Sequence, residues 1–160
     1  MTDRIHESAK GALRRELIFL SSMTEIDLRW LRLFYLYGVQ PVPTSLYSQF
    51  CAAVARGDRQ FNMSPGMQLR DFMKVEDAGA DIVNVALAPQ APRVINICSG
   101  KPTTVLKIVE QWRAEMGAKI ELSLGALDYP TYEPFAFWGD NGRLSALLGR
   151  QASAQVQVVG

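Results

Sequence analysis

The strongest constraint on the fold is the segment of residues 30–37, WLRLFYLY, which is apolar on both faces and is followed by Gly38. A short run of this kind is typical of a strand in a parallel sheet, where helices cover both faces. Such a strand needs neighbours on both edges, and the rest of the chain predicts few. We therefore expect that part of the sheet is supplied from outside this sequence.

Hydrophobic periodicity predicts helices and strands that alternate around this run, which indicates the α/β class. The predicted helices cover residues 8–20, 45–56, 76–88, 104–117 and 141–148, and further strands cover residues 60–63, 68–73, 93–98 and 119–124. Thr44 or Ser45 is expected to cap the second helix and Thr104 the fourth, with Gly117 at the fourth helix's C-terminus. Residues 1–150 are predicted to form one domain, and residues 151–160 a flexible tail.

Composition excludes several classes of protein. Seventeen basic and sixteen acidic residues leave a formal net charge of +1, which argues against binding nucleic acid or a charged membrane surface. The polar N-terminus has no signal-peptide core, and no apolar window is long enough to span a membrane. Cys51 and Cys98 lie far apart and His6 is the single histidine, so no metal site is expected and the location is predicted to be cytoplasmic.

Two charged pairs allow both a structural and a functional interpretation. Arg70 and Asp71 are adjacent in a predicted strand, either as an exposed ion pair or with the arginine directed at a phosphate. His6 and Lys10 lie one turn apart on the first helix, where two solvated side chains are the simpler interpretation.

Nucleotide-binding motifs of the common kinds are missing from this sequence. Ser99, Gly100 and Lys101 resemble the end of a phosphate-binding loop, but Ile95 replaces the required first glycine and Pro102 the magnesium-binding hydroxyl. No Gly-x-Gly-x-x-Gly fingerprint occurs.

The order of three sequence blocks and a closing motif resembles that of a known family. The blocks are residues 30–38, 69–77 and 94–100, and the closing motif is FWGDN at residues 137–141. They are similar to the C-terminal half of extended short-chain dehydrogenases/reductases, specifically NAD-dependent epimerases/dehydratases that act on nucleotide sugars. The resemblance covers roughly residues 5–149. It implies a Rossmann-like fold that lacks its N-terminal glycine-rich βαβ half. Residues 1–38 would end the Rossmann core and residues 39–150 would form most of the substrate-binding region.

The resemblance also implies roles for individual residues. Lys10 matches the lysine of a catalytic Tyr-x-x-x-Lys pair that also contacts the cofactor, while His6 stands at the tyrosine position. Leu36 matches a position near the nicotinamide. The implied substrate-binding residues are Arg70 for the diphosphate or ribose, Phe61 and Met63 for the base, Ser45 and Leu46 at a helix start, Tyr35 where many members have asparagine, and Glu133.

Two hypotheses follow from the resemblance. In the first, the chain is the substrate-binding C-terminal portion of an enzyme that uses NAD or NADP on a nucleotide-diphosphate sugar, with no cofactor bound by this chain alone. In the second, it is a non-catalytic truncated or split-gene product that needs a partner with the cofactor-binding half. An unrelated small α/β binding domain is a third, general alternative.

The first predicted helix carries an apolar stripe at Ala9, Leu13, Leu17 and Leu20. The remaining residues do not supply enough apolar surface to cover this stripe and the strand at residues 30–37. We therefore expect a homodimer, a complex with the missing half, or poor solubility.

Overall fold

A computed structural model describes residues 2–39 and 42–151, with side chains from Ala9 onward. In chain order the elements are α1 (Thr2–Ser22), β1 (Trp30–Leu33), β2 (Tyr35–Tyr37), α2 (Leu46–Arg56), β3 (Gln60–Met63), β4 (Leu69–Lys74), α3 (Val75–Leu87), β5 (Val94–Ile97), β6 (Pro102–Thr104), α4 (Val105–Glu115), β7 (Glu121–Leu124), β8 (Ala136–Phe137) and α5 (Gly142–Leu147). The α/β class is as predicted.

The strand predicted at residues 30–37 is divided between two sheets. β1 pairs in parallel with β5, and after a break at Phe34 the chain continues as β2, which pairs in parallel with β4. The parallel pairing agrees with the prediction, but the single continuous strand and its burial on both faces are wrong. Within the described residues β5 is the one strand that pairs with β1, and Leu33 is 51% exposed.

β4 joins the second sheet to the segments that follow it. It pairs in parallel with β2 and β8 and antiparallel with β6, while β3 and β7 form a separate parallel pair. β6 and β8 were not predicted from the sequence, because strands of three and two residues are too short to show a period.

The helix caps follow the sequence closely. The Ser45 hydroxyl accepts a hydrogen bond from the Ser48 amide at 3.2 Å, and Thr104 does the same for Lys107. Ser45, and not Thr44, is therefore the cap of α2. Gly117 was predicted to be the C-cap of α4, but the C-cap is Met116, and Gly117 follows it with a left-handed φ of 60°.

In the sequence of α3, Ala80, Val83 and Leu87 lie on one apolar stripe, which predicts a buried face that the structure does not show. Val83 and Leu87 are exposed, whereas Ala78, Asp81 and Val85 are buried. A polar residue lies on the inner face because Arg150 holds both carboxylate oxygens of Asp81, at 2.7 and 2.9 Å.

Two apolar cores support the fold. One packs α2, α4 and the β3–β7 pair together through Phe50, Ala53, Phe61, Met63, Ile108, Val109, Trp112 and Ile120. The other packs α3, β5 and α5 through Ala78, Val85, Ile95, Ile97 and Leu144.

Helix α1 exposes apolar side chains along much of its length. Leu13 is 53% exposed and Phe19 is 63% exposed, with Ile18 and Leu20 also exposed and Leu17 half-buried. The apolar stripe predicted on this helix is therefore not covered by the residues that the structure describes. None of the described helices is both long and apolar enough to cross a membrane.

Candidate functional site

A cavity of about 470 Å³ opens beside β2, β3, β4 and the beginning of α2. This volume is within the usual range for a small-molecule site. The residues predicted to contact the substrate line it together, as does Leu36, which was predicted to lie near the nicotinamide. They are Tyr35, Leu36, Ser45, Leu46, Phe61, Met63, Arg70 and Glu133.

Arg70 is the buried cation of the cavity, with 1% of its surface exposed. Its Nη1 donates to the carbonyl oxygens of Leu69 at 2.8 Å and Phe135 at 3.2 Å, and its Nη2 donates to Glu133 Oε2 at 2.8 Å. The guanidinium carbon lies 5.5 Å from the centre of the Tyr35 ring. These contacts hold the side chain in one position, so it is ready for a ligand without further ordering.

Asp71 is not the ion-pair partner of Arg70. The exposed pair considered from the sequence is therefore wrong, since successive strand residues face opposite sides of a sheet. Asp71 Oδ1 accepts from the amide and hydroxyl of Ser99, at 2.8 and 2.7 Å. Asp71 Oδ2 accepts from the amides of Gly100 at 2.9 Å and Gly139 at 3.3 Å. One buried carboxylate thus joins β4 to the turn after β5 and to the segment after β8.

The absence of a side chain at Gly139 allows this close approach. A Cβ atom there would lie 2.5 Å from the sulfur of Cys98 and 2.7 Å from the ring of Phe34. The Phe34 ring also stacks on Phe137, with 5.2 Å between ring centres. Phe137 and Gly139 therefore both pack against the break between β1 and β2.

Arg70 and Glu133 form the charged end of the cavity, and the Tyr35 ring lies beside Arg70. Burial raises the pKa of Tyr35, and the neighbouring carboxylate of Glu133 raises it further, while Arg70 lowers it. The net effect is upward, so the phenol keeps its proton near neutral pH and acts there as a hydrogen-bonding group.

Phe61 and Met63 line the cavity while belonging to the apolar core. They are 8% and 3% exposed, and the Phe61 ring packs edge-on against Phe50 at 5.3 Å. At the start of α2, the Ser45 hydroxyl is within 2.8 Å of the Ser48 hydroxyl, so this side chain is held by its own helix.

A set of aromatic residues that the sequence analysis did not assign also lines the cavity. We call it the aromatic wall: Tyr37, Tyr47, Phe72 and Trp112. The Trp112 ring centre lies 5.3 Å from that of Tyr37, 4.9 Å from that of Tyr47 and 6.0 Å from that of Phe72. In the sequence, Trp112 is at helical spacing from Val105 and Ile108, a pattern that signals burial but gives no sign of a cavity.

Lys10, one of the two residues predicted for catalysis, is not brought into this site. Lys10 is exposed on α1 and is not among the residues that line the cavity. The side chain of His6 lies outside the described residues. In the described part of the chain, no group of three or more potential ligands is arranged to hold a metal ion.

Comparison with known families and proteins gives consistent results. The model of the NAD dependent epimerase/dehydratase family matches residues 4–98. The chain is 30% identical over 132 residues to dTDP-6-deoxy-L-talose 4-dehydrogenase (NAD(+)) of Aggregatibacter actinomycetemcomitans, which covers 82% of this chain and 48% of that protein.

Solved structures agree in fold. UDP-glucose 4-epimerase of Thermotoga maritima, solved with UDP-glucose, is similar with a TM-score of 0.76 and 20% identity, covering 90% of this chain and 47% of that one. UDP-N-acetylglucosamine 4-epimerase of Methanobrevibacter ruminantium, solved with UDP-N-acetylmuramic acid, is similar with a TM-score of 0.68 and 22% identity. The match covers 85% of this chain and 45% of that one. The chain therefore spans about half the length of the relatives that it matches.

Proposed function

This chain belongs to the NAD dependent epimerase/dehydratase family, and on that premise we propose that its cavity binds a nucleotide-diphosphate sugar. In this proposal the chain is the C-terminal, substrate-binding portion of an NAD(P)-dependent epimerase, dehydratase or reductase. We also propose that it acts in the cytoplasm, on account of its two cysteines, which are free.

The observation that carries the proposal is the buried Arg70 at one end of a cavity that is also lined by apolar and aromatic side chains, among them Leu46, Phe61 and Trp112. A nucleotide sugar also combines a charged part with a flat aromatic part, because it has an anionic diphosphate and polar hydroxyl groups as well as a planar base. The guanidinium group suits phosphate oxygens, and Glu133 beside it accepts hydrogen bonds from hydroxyl groups but repels phosphate. We therefore expect Arg70 and Glu133 to act together on the part of the ligand where phosphate and hydroxyl groups adjoin.

For the cofactor, we propose that this chain alone binds neither NAD nor NADP. The sequence encodes no glycine-rich turn to hold a pyrophosphate, and of the two residues assigned to the cofactor, Leu36 lines the cavity while Lys10 does not. The residues present therefore do not fit a dinucleotide by themselves. Isothermal titration with both cofactors tests this, and micromolar binding of either one would overturn it.

For catalysis, we propose that Lys10 and His6 act only in a complete assembly. A histidine at the tyrosine position can exchange protons near neutral pH, because its ordinary pKa lies near 6.5. The imidazole is shorter than a phenol, however, and Lys10 does not line the cavity. We expect the isolated chain to be inactive on nucleotide sugars.

Substrate binding is tested by calorimetric titration of the full chain with UDP-glucose and dTDP-glucose. We expect binding to the wild type and at least tenfold weaker binding to Arg70→Lys, which keeps the charge but loses the planar fork. Arg56→Ala is the matched control, since Arg56 is an exposed arginine paired with Asp58 and does not line the cavity. Absence of binding to a folded wild-type chain would contradict the proposal.

A second candidate function is supported by the exposed apolar residues of α1. In this alternative the chain is non-catalytic by itself and docks onto a partner that supplies a cofactor-binding half, or onto a second copy. Co-expression with the N-terminal half of the Aggregatibacter relative, followed by size-exclusion chromatography, separates these cases. A complex with dehydrogenase activity favours the substrate-binding role, a complex without activity favours the non-catalytic role, and a lone monomer contradicts docking.

A further inference from the structure

A second cavity, of about 510 Å³, adjoins the one described above. Tyr37 and Phe72 line both cavities, and residues of α3 and α5 help to complete the second one. Its volume is also within the usual range for a small-molecule site. The chemistry of the two cavities differs, because the second is lined by lysine, arginine and serine side chains that the first does not share.

Three cationic side chains from three separate segments converge on the second cavity. Lys74 ends β4, Lys101 lies in the turn after β5, and Arg150 follows α5. Within the described residues, neither lysine forms an ion pair. Positive charges that line one concave surface reinforce each other's field, and such a surface attracts an anion.

Two carboxylates also line the second cavity, and Arg150 balances them in part. Arg150 holds both oxygens of Asp81, which uses two of its five N–H groups. Hydrogen bonding to Asp81 raises the pKa of Arg150, burial opposes this rise, and the charges of Asp81 and Asp77 add to it. The lining carries more cations than anions, so it favours a negatively charged ligand, while Asp77 can accept a hydrogen bond from a hydroxyl group.

Ser145 adds a buried hydroxyl group to the lining. The residue is 3% exposed, and its hydroxyl forms no hydrogen bond within the part of the chain that the structure describes. The oxygen is not one of the fully enclosed polar atoms, so it keeps some accessible surface. Buried hydroxyl groups without a partner are uncommon, because the free energy lost on desolvation is recovered only through a hydrogen bond. A ligand in the second cavity would supply that bond.

We propose that the second cavity binds a small phosphate ester that carries hydroxyl groups, such as a sugar phosphate. A phosphate monoester has a charge of about −1.5 to −2 at pH 7, which suits the two lysines and the Ser145 hydroxyl. Asp77 repels a further anionic group but accepts hydrogen bonds, so the remainder of the ligand is hydroxylated and not charged. The site is separate from the proposed nucleotide-sugar site, and neither depends on the other.

Calorimetric titration of the full chain with glucose 6-phosphate tests this proposal, with glucose and inorganic phosphate as separate titrants. Glucose 6-phosphate should bind about tenfold or more tightly than either, because it alone offers both the charge and the hydroxyl groups. Lys101→Gln should weaken that binding about fivefold or more. Lys107→Gln is the matched control and should leave it unchanged, since Lys107 is an exposed lysine on α4 that does not line the second cavity.

Ser145→Ala gives a second measurement in a variant that keeps nearly the same volume. Loss of the hydroxyl should weaken glucose 6-phosphate binding about fivefold or more. The free variant should be at least as stable as the wild type in urea unfolding, because a hydroxyl without a partner does not stabilise the fold. A variant that loses stability and keeps its affinity would mean that Ser145 serves the fold, and would contradict the proposal.

Arg70→Lys separates the two cavities, because Arg70 lines only the first. Binding of glucose 6-phosphate that falls with Arg70→Lys and not with Lys101→Gln would assign the ligand to the first cavity and overturn the proposal. Equal affinity for inorganic phosphate and glucose 6-phosphate would overturn it too, as would absence of binding to a folded wild-type chain. Loss of UDP-glucose binding alone bears on the first cavity and leaves this proposal standing.

Discussion

Replacement of Asp71 by asparagine tests how the cavity is held in shape. In the wild type each carboxylate oxygen accepts two hydrogen bonds: Ser99 provides both donors to Oδ1, and Gly100 and Gly139 provide those to Oδ2. Asparagine turns one oxygen into an N–H₂ group, which faces at least one backbone amide donor in either orientation, because only the Ser99 hydroxyl can turn to accept instead. At least one hydrogen bond to a charged, fully buried acceptor is therefore lost, and the remaining ones lose the charge of their acceptor.

The expected cost is about 1.5–3 kcal/mol for each hydrogen bond to the charged acceptor that is lost. Even one such loss is a large share of the roughly 5–15 kcal/mol that stabilises an ordinary domain. With a urea m-value of about 2 kcal/mol per M, the midpoint of unfolding should fall by about 1 M or more.

Urea titration followed by circular dichroism measures this midpoint. Asp58→Asn is the matched control, since Asp58 forms an exposed ion pair with Arg56, and its midpoint should not move measurably. If Asp71→Asn changed the midpoint as little as the control does, the four hydrogen bonds would not support the fold as we argue.

Three further predictions concern groups away from the cavity. Burial raises the pKa of the Cys98 thiol to about 12 from an ordinary value of 9.0, so the folded chain keeps a proton that the unfolded chain loses. Stability should then fall as the pH rises from 9 to 12, and Cys98→Ala should flatten that fall in thermal unfolding. Arg150→Ala leaves the buried carboxylate of Asp81 without its bidentate partner and should cost about 1–3 kcal/mol in urea unfolding, with most of the loss recovered in the double variant with Asp81→Asn. Leu13→Lys with Leu17→Lys should shift the chain toward monomer in sedimentation without loss of stability, whereas a clear loss would mean that this face of α1 is packed.

The local structure of the chain follows from its sequence to a large extent. The strand at residues 60–63 has the predicted bounds, and Ser45 and Thr104 cap the helices that they were expected to cap. These features depend on side chains a few residues apart, where propensity and hydrogen bonding act directly. Their prediction needs no knowledge of the rest of the molecule.

The candidate site was predicted in a different way. That Arg70, Phe61 and Glu133 line one cavity was expected from the family resemblance, because nothing in their spacing brings residues so far apart in the chain together. Which residues actually contact the ligand stays a prediction. The same holds for Lys10, which the resemblance assigns to catalysis and which lies on an exposed helix face.

Long-range contacts account for what the sequence did not predict. The break at Phe34 depends on packing against Phe137 and Gly139, which lie about a hundred residues further along. The inner face of α3 depends on Arg150, which makes a buried Asp81 acceptable. Hydrophobic periodicity records only the average tendency of each residue, so such specific pairs are invisible to it.

The division of residues 30–37 between two sheets means that one short piece of backbone belongs to two structural units. A strand advances about 3.3 Å per residue, so the last residue of β1 is only about 7 Å along the chain from Tyr35 in the cavity wall. A chain that hydrogen-bonded to the side of β1 left unpaired among the described residues would therefore lie within two residues of the cavity wall. If assembly at that strand changes the affinity of the cavity for a ligand, occupancy of the cavity must change the affinity for the added chain by the same factor.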